Sequence, residues 1–113
     1  MNLSELQSWV EETYQKRGWT DYGPFVRVGF LMEEVGELAQ AVRAIEIGRD
    51  RPDEQARSEE ELLGHLMEEL GDVIGNIAIL ANKYDLSLDD VIQKHQEKLL
   101  NRYKKDESGS CSV

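Results

Sequence analysis

A single cysteine, Cys111, stands among the last residues, so the chain can form neither an internal disulfide nor a cysteine metal cluster. That usage points to a reducing, cytoplasmic setting. Basic residues are scarce as well: 13 Lys and Arg against 23 Asp and Glu leave a formal net charge of -10. Repulsion from phosphodiester backbones and anionic lipid follows, which argues against sequence-independent nucleic-acid binding and against a membrane surface. Long apolar runs are missing. The stretch from Met1 to Glu12 has no signal core, and the longest mostly apolar segment, Val73 to Ala81, is broken by Gly75 and Asn76, so nothing is expected to span a membrane. Period-two strand patterning is absent too. What remains, at 113 residues with 40% hydrophobic and 32% charged, is one all-α globular domain. An anionic ligand would need the local field inverted, and a divalent cation held by carboxylates does that.

Helix punctuation divides the chain into four segments. Ser4 with Gln7 reads as a capping box opening a first helix that Gly18 closes. Pro24 suits the first turn of a second, with Gly48 at its C-terminal end. Ser58 with Glu61 opens a third that runs to about Tyr84, and Ser87 opens a fourth, with Asp89 and Asp90 favourable to its dipole. The polar linker from Arg49 to Arg57, containing Pro52, is long enough to reverse the chain. The domain is expected over 1–105, with a disordered tail at 106–113.

Apolar residues recur at Leu31, Val35, Leu38, Val42 and Ile45, and again at Leu66, Leu70, Val73, Ile77 and Leu80. The two stripes coincide after a shift of 35 residues. In that register Gly29 to Glu37 lies over Gly64 to Asp72, with six of nine positions identical and Glu37 opposite Asp72. Two such helices joined by a reversing linker pack antiparallel with corresponding faces together. At about 100° per residue, Glu34 falls roughly 60° and Glu37 roughly 120° from the centre of the apolar stripe, and Glu69 and Asp72 fall at the same two angles. Four carboxylates at i and i+3 therefore flank the core on matching faces. Without cations they would repel one another and raise their pKa values; hard Mg²⁺ or Mn²⁺ removes both problems. Glu33 and Glu68 point farther round, and Glu33 is held as a weaker ligand. A di-iron site would require Glu-x-x-His, which neither His65 nor His95 satisfies.

These residues resemble a known family. Glu33-Glu34-Val35-Gly36-Glu37 followed by Glu69-Leu70-Gly71-Asp72 looks like the Glu-Glu-x-x-Glu and Glu-x-x-Asp signature of MazG-like nucleotide pyrophosphohydrolases, over roughly Phe25 to Arg102. The resemblance implies a four-helix MazG-like bundle and Mg²⁺-dependent hydrolysis of nucleoside triphosphates to monophosphate and pyrophosphate. It implies Glu34, Glu37, Glu69 and Asp72 as metal ligands, with Glu33 as auxiliary ligand or base, and assembly into homodimers or homotetramers as dimers of dimers. Acceptance of the water's proton fits Glu33 or Glu37.

Further candidates are substrate-facing. Lys94, Lys98, Arg102 and Lys105 fall within an arc of about 80° on the fourth helix and suit outer phosphates or departing pyrophosphate, though cations there also complement the dipole. Asn76 falls between the angles of Glu69 and Asp72, one turn on, and either orients a ligand, touches substrate or is simply satisfied. Of the aromatic residues crowding the N-terminal quarter, Trp9 or Trp19 is the choice for base stacking. Gly29, Gly36, Gly64, Gly71, Gly75 and Ala78 mark small faces that imply close packing against another helix or subunit. Competing readings are a non-enzymatic acidic helical adaptor, for which mere acidity would suffice, and a helical phosphohydrolase with histidine ligands, which lacks its His/Asp pair.

Overall fold

The computed structural model describes residues 1–48, 52–53 and 55–104. The expected tail at 106–113 and Lys105 lie outside the described residues. Four helices and no strand are present among them: α1 (Leu3–Lys16), α2 (Pro24–Glu46), α3 (Glu59–Lys83) and α4 (Leu88–Arg102).

The helix ends show why the segments fall there. α1 begins one capping box earlier than Ser4 and Gln7 indicate, because Asn2 also has a side-chain acceptor at the right spacing. Its Oδ1 accepts from the Glu5 amide at 2.8 Å, and the Glu5 carboxylate accepts from the Asn2 amide at 3.3 Å. Gly18, at φ +74°, ends α1 in a left-handed turn, with the Gly18 amide donating to Gln15 O at 3.0 Å and the Trp19 amide to Tyr14 O at 2.9 Å. Pro24 opens α2 and Gly48, at φ +83°, follows its end. Ser58 caps α3 by accepting from the Glu61 amide at 3.1 Å. At the end of α3, Asp85 occupies the left-handed position where glycine is usual, at φ 57°.

Gln7, released from capping α1, reaches across the fold. Its Oε1 accepts from the Leu88 amide at 2.8 Å and so caps α4, whose own Ser87 side chain makes no cap bond. Its Nε2 donates to Leu86 O at 2.8 Å and to Asn82 Oδ1 at 2.9 Å. α1 is thereby stitched to the α3–α4 corner.

α2 packs on α3 as the main contact, α1 lies on α3, and α4 touches α1. Arg27, early in α2, meets Asn76, late in α3, whereas Glu34 meets Glu69 farther back, so α2 and α3 run antiparallel. The small core comprises Val10, Ala78, Ile79, Ala81 and Leu88, with Leu3, Leu6 and Tyr14 against it. The two apolar stripes are only half used. Leu31, Leu38, Ile45, Leu66, Val73 and Leu80 are half-buried, but Val35, Val42, Leu70 and Ile77 remain exposed. Two facing helices cover only the side each turns to the other, so the alternate positions need a further layer. The small faces behave likewise: Gly75 and Ala78 are buried, while space beside Gly29, Gly36, Gly64 and Gly71 is open within the chain.

Candidate functional site

Glu34 and Glu37 stand one turn apart on α2, and Glu69 and Asp72 one turn apart on α3. Antiparallel packing sets the two pairs face to face. One oxygen from each of the four carboxylates lies within 4.8 Å of the others. Glu69 is only 7% exposed and Glu34 is half-buried, while Glu37 and Asp72 open to solvent.

Like charges gathered at this depth are unfavourable as anions. Burial, then the Glu37 and Asp72 charges, a hydrogen bond shared with Glu37 and the Glu69 charge push the Glu34 carboxyl up to about 6. Glu69 is raised by burial first and then by Glu37 and Asp72, with His65 opposing. His65 stands beside the cluster, its Nε2 3.7 Å from Glu69 Oε1 and its Nδ1 3.9 Å from Glu68 Oε2. Oε2 of Glu34 and Oε2 of Glu69 are both buried with no hydrogen-bond partner. Orphaned carboxylate oxygens are costly. An all-oxygen donor set with two such atoms fits a hard divalent cation such as Mg²⁺ or Mn²⁺, which would satisfy both and neutralise the cluster.

The other sequence candidates are not members of the group of four. Glu33 is exposed and outside the group of four. Asn76 is buried and engaged at both ends: its Oδ1 accepts from Arg27 Nη1 at 3.3 Å, and its Nδ2 donates to the Asp72 backbone carbonyl at 2.8 Å. Lys94, Lys98 and Arg102 are exposed on α4, whose main packing partner is α1, whereas the carboxylates lie between α2 and α3. Trp9 and Trp19 are both exposed; Trp19 meets Tyr14 edge to face at 5.1 Å, with the Arg17 guanidinium 5.3 Å from its ring.

Two residues not chosen from sequence border the cluster: Tyr14, one of the N-terminal aromatics expected mostly in the core, and Arg27. Tyr14 comes in from α1 so closely that a Cβ on Gly75 would stand 3.0 Å from its hydroxyl oxygen, which is why glycine suits position 75. Burial and the Asp72 charge raise the Tyr14 phenol, against the opposing Arg27 charge and with Glu34 adding to the rise. It therefore stays protonated, a neutral donor beside acids. Arg27 is 4% exposed, two helical turns before Glu34 on the same face of α2. That seven-residue spacing was the available signal; a lone arginine at the edge of an apolar run reads as solvent-facing.

Comparison with known proteins decides the family. The model of the MazG nucleotide pyrophosphohydrolase domain matches residues 27–106. The chain belongs to the MazG family. It is also 64% identical over 103 residues to the uncharacterized protein YvdC of Bacillus subtilis (strain 168), covering 91% of this chain and 97% of that one. Nucleotide pyrophosphohydrolase activity is what MazG membership implies, and the family's dependence on metal agrees with the acidic cluster between α2 and α3. Among the described residues no helix is long and apolar enough to cross a membrane.

Proposed function

We propose that this MazG protein is a Mg²⁺-dependent pyrophosphohydrolase that converts nucleoside or deoxynucleoside triphosphates to monophosphate and pyrophosphate, clearing the cytoplasmic nucleotide pool. The observation that carries the reading is the convergence of Glu34, Glu37, Glu69 and Asp72 within 4.8 Å, two of them with buried, unpartnered oxygens. An acidic adaptor needs exposed charge and gains nothing from burying Glu69.

Glu34, Glu37, Glu69 and Asp72 would hold the cation, with Mn²⁺ as a substitute for Mg²⁺. When bound it supplies charge neutralisation for the phosphates and acidifies a water. The chain's own residues do the rest. The rigid helix pair keeps the carboxylates in place before substrate arrives, so little reorganisation is needed. Glu37, exposed at the rim, accepts the attacking water's proton, with Glu33 as the alternative base. Trp19 offers an exposed ring next to Tyr14 for stacking on the base, with Trp9 as the second choice. Lys94, Lys98 and Arg102 meet phosphates in a homodimer or dimer of dimers, where α4 of one subunit reaches the carboxylate face of another.

A screen of natural and modified dNTPs and NTPs tests the proposal. Monophosphate and pyrophosphate should appear in equal amounts and only with Mg²⁺ or Mn²⁺. Orthophosphate as the product, or turnover in excess chelator, would refute it.

A further inference from the structure

Among the described residues the fold buries three polar or charged side chains: Glu69, Asn76 and Arg27. The cluster accounts for Glu69. Arg27 is a full guanidinium withdrawn from water, and its Nε has no partner. Burial of a cation is expensive unless it is well held. Its support here consists of aromatic faces and neutral acceptors. The guanidinium carbon lies 5.3 Å from the Phe30 ring centroid and 5.9 Å from those of Tyr14 and Tyr22. One Nη donates to the Trp19 carbonyl in the α1–α2 loop, and the other donates to Asn76 Oδ1 on α3 at 3.3 Å. Asn76 in turn donates to the Asp72 carbonyl at 2.8 Å. Lys83 holds the same loop by donating to the Thr20 carbonyl.

We infer that Arg27 is a positioning residue. Through Asn76 it sets the turn of α3 that carries Asp72, and through the Trp19 carbonyl it locks the aromatic loop beside that turn, so loop and carboxylates share one geometry. A planar fork serves two acceptors at once, which an ammonium on a flexible stem does not reproduce. The activity and Mn²⁺ readouts rest on the pyrophosphohydrolase reading; the exchange readout does not.

The test compares wild type with Arg27→Lys, Asn76→Ala and the double variant. In metal-free protein, amide hydrogen exchange should accelerate together in residues 17–23 and 72–76 of Arg27→Lys, while α4 is unchanged. Mn²⁺ titrated calorimetrically should bind each single variant about tenfold more weakly or worse, as for other groups that orient a ligand. Turnover of a dNTP mixture should show kcat reduced by a similar factor with KM within about twofold, and the double variant should add little, because the residues act in series. Should Arg27→Lys not fold, Asn76→Ala decides the matter by accelerated exchange at 72–76 and weaker Mn²⁺ binding. Exchange that rises in the loop alone, or Mn²⁺ affinity and kcat equal to wild type in a variant that melts lower, would reduce Arg27 to a packing residue and overturn the inference. Wild-type protein that binds no Mn²⁺ would sink the functional reading, and the exchange experiment would still decide the strut.

Discussion

Glu69 is a side chain whose burial opposes stability and whose proposed role as a cation ligand would offset that cost. Its carboxylate is buried beside Glu37 and Asp72, so the anion is disfavoured until a cation arrives. Glu69→Gln keeps the shape and removes the charge. Its melting temperature without Mg²⁺ should equal or exceed that of wild type, while pyrophosphate release falls about a hundredfold or more, as when a group stabilising transition-state charge is lost. Glu60→Gln, on the exposed first turn of α3, should change neither. Glu34 adds a pH dependence. Its folded pKa is raised from the ordinary 4.5 to about 6, so the native state holds that proton more tightly than the unfolded chain. This contribution to stability is whole below about pH 4.5 and is lost as pH rises through about 6. In the metal-free protein, the melting temperature of Glu34→Gln relative to wild type should therefore improve on going from about pH 4.5 to pH 7. Stabilisation by Mg²⁺ should run the other way, weak at about pH 5 and full above pH 7, since proton and cation compete for the same oxygens. Thermal melts at several pH values, with and without Mg²⁺, read both trends.

Element ends carry their own consequences. Asp85 holds a positive φ of 57° at the close of α3, a conformation that costs a side-chain-bearing residue roughly 1 kcal/mol relative to glycine. Asp85→Gly should therefore raise stability by up to about 1 kcal/mol, and Gly18→Ala, at φ +74°, should lower it by about the same amount. Gln7 serves three partners at the α1, α3 and α4 junction, so Gln7→Ala uncaps α4 and should cost about 1 to 2 kcal/mol in urea unfolding. Helicity lost in that variant should come from α4. The four helices were legible because caps and apolar periodicity are local signals. The start of α1 was misplaced because Asn2 with Glu5 and Ser4 with Gln7 are equally good boxes two residues apart, and the contest was settled by what Gln7 gains across the fold.

At the scale of the molecule, the described residues leave much apolar surface exposed. The radius of gyration is 18.3 Å, against about 13 Å for a compact domain of this length. From Val91 to Lys104 every residue of the α4 region is exposed, including Ile92, Leu99, Leu100 and Tyr103. Val35, Val42, Leu70, Ile77, Met32 and Met67 are exposed on the central pair. Apolar surface on that scale is what contact between copies would cover, and it motivates the assembly prediction. Light scattering should give a dimer or tetramer; one species of 12.9 kDa at micromolar concentration would count decisively against assembly. Ile92→Glu with Leu100→Glu should shift the population toward monomer, and activity should fall with it if α4 of a neighbour carries Lys94, Lys98 and Arg102 to the phosphates.

Periodicity along the sequence determined the helices and the register of Glu34, Glu37, Glu69 and Asp72, because a helix converts a three-residue step into a shared face and an internal repeat turns one such face into two matching ones. The same helical rule puts Arg27 and Asn76 on the carboxylate side of their helices but does not give their partners, and local spacing gives Gln7 an α1 capping role that it does not fill. The contact of Arg27 with Asn76 spans 49 residues and that of Gln7 with Leu88 spans 81. Whether a polar side chain is solvated or buried at such separations depends on which acceptors the packed helices bring to it. Only the tertiary structure decided that Asn76 faces Arg27, that Tyr14 reaches over Gly75, and that α4 lies on α1.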